Sequence, residues 1–378
     1  MSSRIFEVVG MVYLLDHEVS RRSIVIFAKT DKRLYRQFKD GVAWKSGGLN
    51  YINIMSVVSP IVTITLNPAI DQTVFVDQLV PGSVHRVRQS RRQAGGKGVN
   101  VATMLALGGA EVVASGFLGD ANATIFEQHF SKYGVCDAFI RVQGETRTGI
   151  KLVDAGINET TDLNMVGAAP TVEQCAALRS QLLDLAEPGR WFLIAGSLPD
   201  GIEPRFVAEL IEALRATGAK IAVDSSGAAL KAAVAAGVDL IKPNEHELAE
   251  LLGVELKGFD AIVAATRRLS KDHIPNLIVS MGSQGALFQT ADAELLVRAP
   301  KLNVVSTVGA GDALLAGYLH GQQLGESLED CARRATAYAW SRLESLVPML
   351  PQGNELNERL NRISVRKLDS SVRPVLDC

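Results

Sequence analysis

From Ser59 onward the chain alternates short apolar stretches with longer stretches of helical periodicity, and this alternation constrains its fold most strongly. The apolar stretches predict strands, which are Ile61–Leu66, Val112–Gly116, Trp191–Ala195, Ile221–Asp224, Leu240–Lys242, Leu277–Ser280 and Gly285–Phe288. The stretches between them predict helices, which are Val99–Leu107, Ala123–Lys132, Val172–Leu185, Arg205–Ala216, Glu245–Leu252, Ala261–Lys271, Ala313–Leu324 and Leu328–Glu344. Strands that alternate with such helices build βαβ units, so we predict an α/β fold with a mainly parallel sheet covered on both faces.

Two stretches interrupt this alternation, Thr73–Arg92 and Arg147–Val166. Both carry β-branched and polar residues without helical periodicity. They form either a small auxiliary sheet that folds over a site as a lid or ordinary surface hairpins, and periodicity does not separate the two. Ligands of parallel α/β sheets bind beyond the carboxyl ends of the strands, so a lid would have to cover that edge.

The two ends of the chain differ from this central part. Residues 1–58 are mixed and partly basic, and Met55 stands just before the first well-formed strand. We interpret them as an extension, either an appended or disordered segment or the result of a start codon assigned too far upstream. The main domain is predicted to span residues 59–352, and residues 353–378 to form a polar, loosely held tail.

Composition excludes several classes of protein. The 378 residues are 47% hydrophobic, which suffices for a full core, and the net charge of −2 gives no support to a nucleic-acid partner. No uninterrupted apolar run reaches the roughly 18 residues of a membrane span. The four cysteines are scattered without metal-ligand spacing, and the N-terminus lacks a signal pattern, so we expect a cytoplasmic protein without a zinc site.

The segment Ser306–Asp312 reads S-T-V-G-A-G-D and runs directly into a predicted helix. Its glycines, Gly309 and Gly311, let the backbone turn tightly and bring its N–H groups, with that of Ala310, up to an anion. The helix N-terminus adds further unpaired donors and the positive end of its dipole. A carboxylate beside such an anion is unfavourable unless it takes a proton from the attacking group, so Asp312 predicts a phosphoryl-transfer site.

A second glycine-rich segment, A-G-G-K-G-V-N at residues 94–100, opens the first predicted helix. It is not a Walker A loop, because Lys97 is followed by glycine and not by serine or threonine. It is either a ligand-binding loop or a flexible turn with a solvated lysine. Asp71, in N-P-A-I-D after the first strand, could bind sugar hydroxyls or form an Asx turn.

Another strand-to-helix junction reads K-P-N-E-H-E-L at residues 242–248. Asn244 and Glu247 could order water around Mg²⁺, form a helix cap, or do both. Ser280, Gly282 and Gly285 lie in a glycine turn that suits a hairpin or the wall of a nucleotide pocket. Ser197 follows another strand, and Arg147 is either a solvated group or a phosphate ligand near the lid.

Taken in their order along the chain, these motifs resemble those of the ribokinase-type (PfkB) carbohydrate kinases, and the resemblance covers about residues 60–350. The motifs that carry the resemblance are Asn67-Pro68-Ala69-x-Asp71, Gly95-Gly96-Lys97-Gly98-x-Asn100, Gly196-Ser197-Leu198-Pro199, Lys242-Pro243-Asn244-x-x-Glu247 and Thr307-Val308-Gly309-Ala310-Gly311-Asp312. The first motif, with Thr146-Arg147 and Thr161-Asp162-Leu163-Asn164, points to the branch that acts on hexose phosphates.

The resemblance implies a three-layer α/β/α domain with a β-sheet lid, often shared across a homodimer. It implies ATP with Mg²⁺ as donor and a small-molecule phosphoketose as acceptor. Asp312 is then expected to be the general base and Gly309–Gly311 the anion hole. The expected substrate-binding residues are Asp71, Gly95, Gly96, Lys97, Asn100, Arg147 and Ser197. The expected nucleotide residues are Lys242, Asn244, Ser280, Gly282, Gly285 and Thr307, with Glu247 and Asn244 holding the metal through water.

Fructose 1-phosphate is the favoured acceptor, and fructose 6-phosphate and tagatose 6-phosphate remain alternatives. A catalytically silent sugar-phosphate sensor on the same fold would not need Asp312. A dinucleotide-dependent oxidoreductase would need G-x-G-x-x-G after the first strand, where this chain has N-P-A-I-D. The sequence therefore favours a kinase over both other classes.

Overall fold

The computed structural model describes residues 5–8, 11–14, 59–87, 89–154, 156–157, 159–272 and 274–368. The chain divides into two units, residues 1–58 and 59–378. In the first unit, strand β1 (Ile5–Val8) pairs antiparallel with strand β2 (Met11–Leu14). The rest of the predicted extension lies outside the described residues.

The second unit is organised around a ten-stranded sheet. In their order across the sheet, the strands are β16 (Ser364–Lys367), β15 (Glu294–Arg298), β14 (Ala286–Thr290), β13 (Asn276–Ser280), β12 (Leu240–Ile241), β11 (Lys220–Asp224), β10 (Trp191–Ala195), β3 (Ile61–Thr65), β6 (Val112–Gly119) and β7 (Cys136–Val142). Neighbours from β13 to β7 are parallel, and β14, β15 and β16 extend the sheet antiparallel.

Helices cover both faces of this sheet. One face carries α1 (Lys97–Leu107), α2 (Thr124–Tyr133), α8 (Ala310–Leu324), α9 (Leu328–Leu343) and α10 (Asn354–Arg362). The other carries α3 (Val172–Asp184), α4 (Pro204–Arg215), α5 (Gly227–Ala236), α6 (Glu245–Leu252) and α7 (Gly258–Asp272). Successive residues of a strand pack into the cores on opposite faces of the sheet. Ile61 packs with the first group of helices and Val62 with the second. The predicted three-layer α/β fold is confirmed.

A second, four-stranded sheet has the order β5 (Gln89–Gly95), β4 (Ala69–Val76), β8 (Thr148–Asp154) and β9 (Glu159–Asn164). Strands β4 and β8 pair in parallel, and the two outer pairs are antiparallel. Both stretches that interrupted the alternation therefore belong to one auxiliary sheet, because isolated surface hairpins would not pair with each other. We call this sheet the lid.

The expectation of a loose tail from residue 353 is wrong for the part that the structure describes. Helix α10 packs on α9, where the guanidinium groups of Arg359 and Arg362 lie 4.8 and 5.0 Å from the ring of Trp340. Strand β16 then pairs with β15. Its sequence, S-V-R-K, is polar because it lies at an edge of the sheet, and this concealed the strand.

Two further strands and one helix were not predicted. Strand β7 lies at the opposite sheet edge and carries charged residues, while β15 was not separated from the hairpin before it. Helix α5 is mostly alanine and lacks a polar face that would reveal its periodicity. No helix within the described ranges has the length and apolar character that crossing a bilayer requires.

Candidate active site

Asp312 lies in the first turn of α8 and is 8% exposed. Gly309 precedes the helix with φ = 77°, a left-handed conformation that glycine adopts without strain. The first amides of α8 have no acceptor inside the helix, and that of Ala310 donates to the carbonyl oxygen of Thr307 at 3.3 Å. The carboxylate therefore sits within a ready-made anion-binding cradle.

The glycine-rich segment at residues 95–100 lies close to four carboxylates of the site. Asn100 donates a 2.7 Å hydrogen bond from Nδ2 to Oδ2 of Asp312. The ammonium of Lys97 lies 2.8 Å from Oδ1 of Asp224 and 3.8 Å from Oε1 of Glu247. A β-carbon on Gly95 would overlap with Oδ2 of Asp71. The end of β5 and the start of α1 thus lie beside four carboxylates from different parts of the chain.

Asp224 is the main site residue that sequence reasoning missed. It ends β11, is fully buried, and its carboxylate lies between two lysines, with Nζ of Lys242 3.1 Å from Oδ2. Burial favours the neutral acid, but the charges of Lys242 and Lys97 outweigh it and hold the pKa of Asp224 below its ordinary value. The sequence did contain a signal for this residue, because a carboxylate ends an otherwise apolar strand.

The pKa of Asp312 is raised to about 6. Burial is the main cause, and the negative charge of Asp224 adds to it. The hydrogen bond from Asn100 and the charges of Lys242 and Lys97 act in the opposite direction. A carboxylate with this pKa is largely ionised at pH 7 and is basic enough to accept a proton.

Lys242 was predicted on the nucleotide side, and the structure places its ammonium against the anion cradle. A β-carbon on Gly311 would lie 3.3 Å from Nζ of Lys242. With Lys97 on the other side of Asp224, two fixed positive charges flank one buried negative charge beside the amides of α8. This arrangement favours an anionic group at that point.

At the lid, Asp71 on β4 is half-buried and lies near two basic residues. Burial raises the pKa of its carboxyl group, while the charges of Lys151 and Arg147 lower it. Arg147 donates from Nη2 to the carbonyl oxygen of Asn67 at 3.3 Å, and its buried Nε has no hydrogen-bond partner in the structure. A polar ligand that reached this guanidinium could satisfy that group.

Ser197 lies beyond β10 on the same side as the Asp71 motif. Asn67 donates hydrogen bonds of 3.1 Å from Nδ2 to Oγ of Ser197 and to the carbonyl oxygen of Leu198. The side chain of Asn67 therefore joins two of the strand-end motifs, a role that the sequence did not reveal.

A cleft of about 700 Å³ lies on the other side of the cradle. The predicted nucleotide residues among its walls are Ser280, Gly282, Gly285 and Thr307, together with Ala310 and Gly311 of the cradle. Its apolar walls include Trp340, Leu343, Leu302 and Pro300, which sequence reasoning did not select. An apolar cleft that ends at an anion cradle suits a ligand with a flat base and phosphates.

Asn244 and Glu247 form a capping box at the start of α6. The Glu247 amide donates to Oδ1 of Asn244 at 2.8 Å, and the Asn244 amide donates to Oε2 of Glu247 at 2.9 Å. Across the described residues, no group of three or more histidine, cysteine or acidic side chains is placed to hold a metal ion. The remaining carboxylate oxygen of Glu247, Oε1, still faces the site near Lys97.

Comparison with known proteins places this site in a family. The sequence model described as pfkB family carbohydrate kinase matches residues 61–345. A 1-phosphofructokinase of Xanthomonas campestris is 44% identical over 290 residues, which cover 75% of this chain and 91% of that protein. A 1-phosphofructokinase of Rhodobacter capsulatus is 41% identical over 309 residues, covering 82% of this chain and 98% of that protein.

Among solved structures, phosphofructokinase-2 from Escherichia coli in complex with fructose-6-phosphate superposes with a TM-score of 0.73 at 28% identity. The match covers 80% of this chain and 98% of that protein. The family match, these identities and the shared three-layer fold agree with the geometry of the cradle. This chain belongs to the pfkB family of carbohydrate kinases.

Proposed function

We propose that this chain transfers the γ-phosphoryl group of ATP to the 6-hydroxyl of fructose 1-phosphate, giving fructose 1,6-bisphosphate and ADP. The relatives from Xanthomonas and Rhodobacter carry the name of this activity. One observation carries the proposal: Asp312 is a buried carboxylate in the first turn of α8, next to Ala310 and Gly311, which line the cleft of about 700 Å³.

In this proposal Asp312 accepts the proton of the sugar hydroxyl as the new O–P bond forms and the bond to ADP breaks. The amides of Gly309, Ala310 and Gly311 bind the charge that develops on the transferred group. Lys242 and Lys97 add fixed positive charge beside them. Positioning and electrostatic stabilisation then supply most of the rate, since this reaction needs little covalent help.

ATP is placed in the 700 Å³ cleft, with its base among the apolar walls and its phosphates directed toward Gly311. Ser280, Gly282, Gly285 and Thr307 line this cleft, and in the proposal they contact the nucleotide. The donor set fits Mg²⁺ held through water, because the ion keeps most of its waters and needs only one or two protein carboxylates. Glu247 Oε1 would hold such a water, and the bound ion would neutralise phosphate charge.

The sugar phosphate is placed under the lid, with Asp71, Gly95, Gly96 and Asn100 toward its hydroxyls. Arg147 is assigned to the phosphate of the acceptor, because its buried Nε has no partner and its planar fork matches a phosphate. We assign Lys97 to the place where the two substrates would meet, since its ion pairs hold it near Asp224 and Glu247. Ser197 supports the wall beside Asn67.

We also propose a homodimer formed through the lid, in a cytoplasmic enzyme. At the end of β9, Leu163, Met165 and Val166 expose 48 to 75% of their surface, an apolar area that a second copy would cover. We take residues 59–368 as the kinase domain, and expect a shortened protein that begins at Met55 to keep its activity. Loss of folding or activity in it would show that the extension is required.

The competing acceptors are fructose 6-phosphate, seen in the Escherichia coli structure, and tagatose 6-phosphate. The decisive experiment compares kcat/KM of the purified protein for all three acceptors with ATP and Mg²⁺. We expect fructose 1-phosphate to be preferred; a preference for either 6-phosphate would overturn the substrate assignment. Absence of turnover with binding of a sugar phosphate would instead favour a silent sensor.

A further inference from the structure

Arg342 lies in the last turn of α9, directly behind the turn that opens α8. Its side chain is 7% exposed. A β-carbon built on Gly309 would lie 3.2 Å from Nε of Arg342 and 3.8 Å from its Cγ, so the guanidinium packs against the backbone of the anion cradle. Nη1 of Arg342 also donates a hydrogen bond to the carbonyl oxygen of Ser345.

A cation at the C-terminus of a helix has an ordinary structural explanation, because it compensates the helix dipole and can bond the last carbonyl groups. The bond to Ser345 fits that explanation. The contact with Gly309 does not, since capping of α9 does not require the guanidinium to be buried against another helix. Burial of a charge is costly, so its retention points to a partner charge.

The negative charge of Asp312, in the first turn of the helix that Gly309 opens, acts on Arg342. Burial lowers the pKa of Arg342, and the charge of Asp312 acts against this. An arginine stays protonated in a protein throughout the physiological range. The charged groups that act on Asp312 are Asp224 from β11, Lys242 after β12 and Lys97 from α1, and Asn100 adds a neutral hydrogen-bond donor.

Resting on the proposed kinase activity, we propose that Arg342 is a positioning residue that braces the Gly309 turn and supplies fixed positive charge behind the anion cradle. It acts through the amides of the cradle and through Asp312 without touching either substrate. Its charge would stabilise the negative charge that develops during transfer and keep Asp312 ionised. Removal of the charge should therefore lower kcat more than it raises either KM.

The test replaces Arg342 by Met, Lys and Ala, with Arg333→Met as the matched control. Arg333 also lies on α9, but it bonds Glu329 and the carbonyl oxygen of Ile363, away from the cradle. We expect Arg342→Met to lower kcat about tenfold or more with each KM changed less than about twofold, a loss typical of electrostatic stabilisation. Arg342→Lys, which keeps the positive charge, should show a smaller loss of kcat.

Two readouts separate this role from a structural one. The acid midpoint of kcat/KM should rise in Arg342→Met and stay in place in Arg333→Met, because only the first change removes positive charge near Asp312. Millimolar guanidinium should raise kcat of Arg342→Ala and leave Arg333→Met unaffected. Melting temperatures show whether each variant folds. If the Met and Ala variants do not fold, the kcat and the acid midpoint of Arg342→Lys test the proposal instead.

Unchanged kcat and midpoint in Arg342→Met would overturn the inference, as would a Lys variant no better than the Met variant or a lack of rescue by guanidinium. If only the Lys variant folds, a shifted midpoint with a large loss of kcat would also overturn it. These results differ from failure of the proposed function, in which the unaltered protein itself would not phosphorylate any of the three acceptors.

Discussion

The raised pKa of Asp312 predicts how the activity depends on pH. A general base works only when ionised, and kcat/KM reports the ionisation of the free enzyme. With a pKa of about 6, the ionised fraction is about nine-tenths at pH 7 and about one-tenth at pH 5. We therefore expect kcat/KM to fall on the acid side with a midpoint near 6.

The substrates complicate the wild-type profile, because phosphate monoesters also ionise with a second pKa near 6. Variants of the enzyme do not alter that ionisation, so they isolate the contribution of Asp312. Asp224→Asn removes the negative charge that raises the pKa of Asp312, and Lys97→Met removes a positive charge that lowers it. The two changes should move the midpoint in opposite directions.

For Asp224→Asn we expect a downward shift on the order of one pH unit, a common size for the effect of a close charge. At pH 5.5 the fraction of plateau activity would rise from about a quarter to about three-quarters. Lys97→Met should shift the midpoint upward. The assay is kcat/KM from pH 4.5 to 8. Melting temperature is the check on folding, since Asp224→Asn removes the carboxylate that pairs with both Lys97 and Lys242.

If the two variants shared the wild-type midpoint, the acid limb would belong to the substrates and the electrostatic account of the site would be refuted. An upward shift in Asp224→Asn would contradict the sign of the argument. If Asp224→Asn does not fold, the Lys97→Met profile decides, with its melting temperature measured at each pH, because loss of stability at low pH would also raise the apparent midpoint.

Three further predictions concern single positions. Asp312→Asn should lower kcat by about a hundredfold or more while ATP still binds, as loss of a general base requires, and near wild-type turnover would remove Asp312 from that role. Gly95→Ala should raise KM for the sugar phosphate with KM for ATP unchanged, because its β-carbon would overlap with the Asp71 carboxylate; the check is a two-substrate kinetic analysis. Arg147→Ala should raise KM for the sugar phosphate about tenfold or more, the worth of a charge-assisted hydrogen bond, and an unchanged KM would exclude Arg147 from the site.

Sequence patterns predicted the layers of the fold because strands buried on both faces carry long apolar runs. They failed for β7 and β16, which lie at the two edges of the sheet and can carry polar side chains. They failed for α5 because a nearly uniform run of alanine has no polar face to mark its period. The elements that escaped prediction thus include the two edge strands, strand β15 beside one of them, helix α5, and helix α10 in the segment expected to be a tail.

The residues of the candidate site could also be predicted only in part. Glycines and their neighbouring carboxylates could be predicted because close backbone approach leaves a mark in the local sequence. Asp224 and Arg342 could not, because each acts through contacts with residues far away in the chain. Their placement depends on how β11 and α9 meet the start of α8, which only the folded structure supplies.

The hydrogen bond between Asn100 and Asp312 has a consequence for the choice of product. A ketohexose phosphate presents several hydroxyl groups of similar acidity, and a freely rotating carboxylate could deprotonate more than one of them. The bond from Nδ2 of Asn100 to Oδ2 fixes the plane of the carboxylate, so that its basic lone pairs keep one direction. The regiochemistry of phosphorylation would then be set by an amide on α1 as much as by the base itself, and its loss would appear as a mixture of bisphosphate isomers.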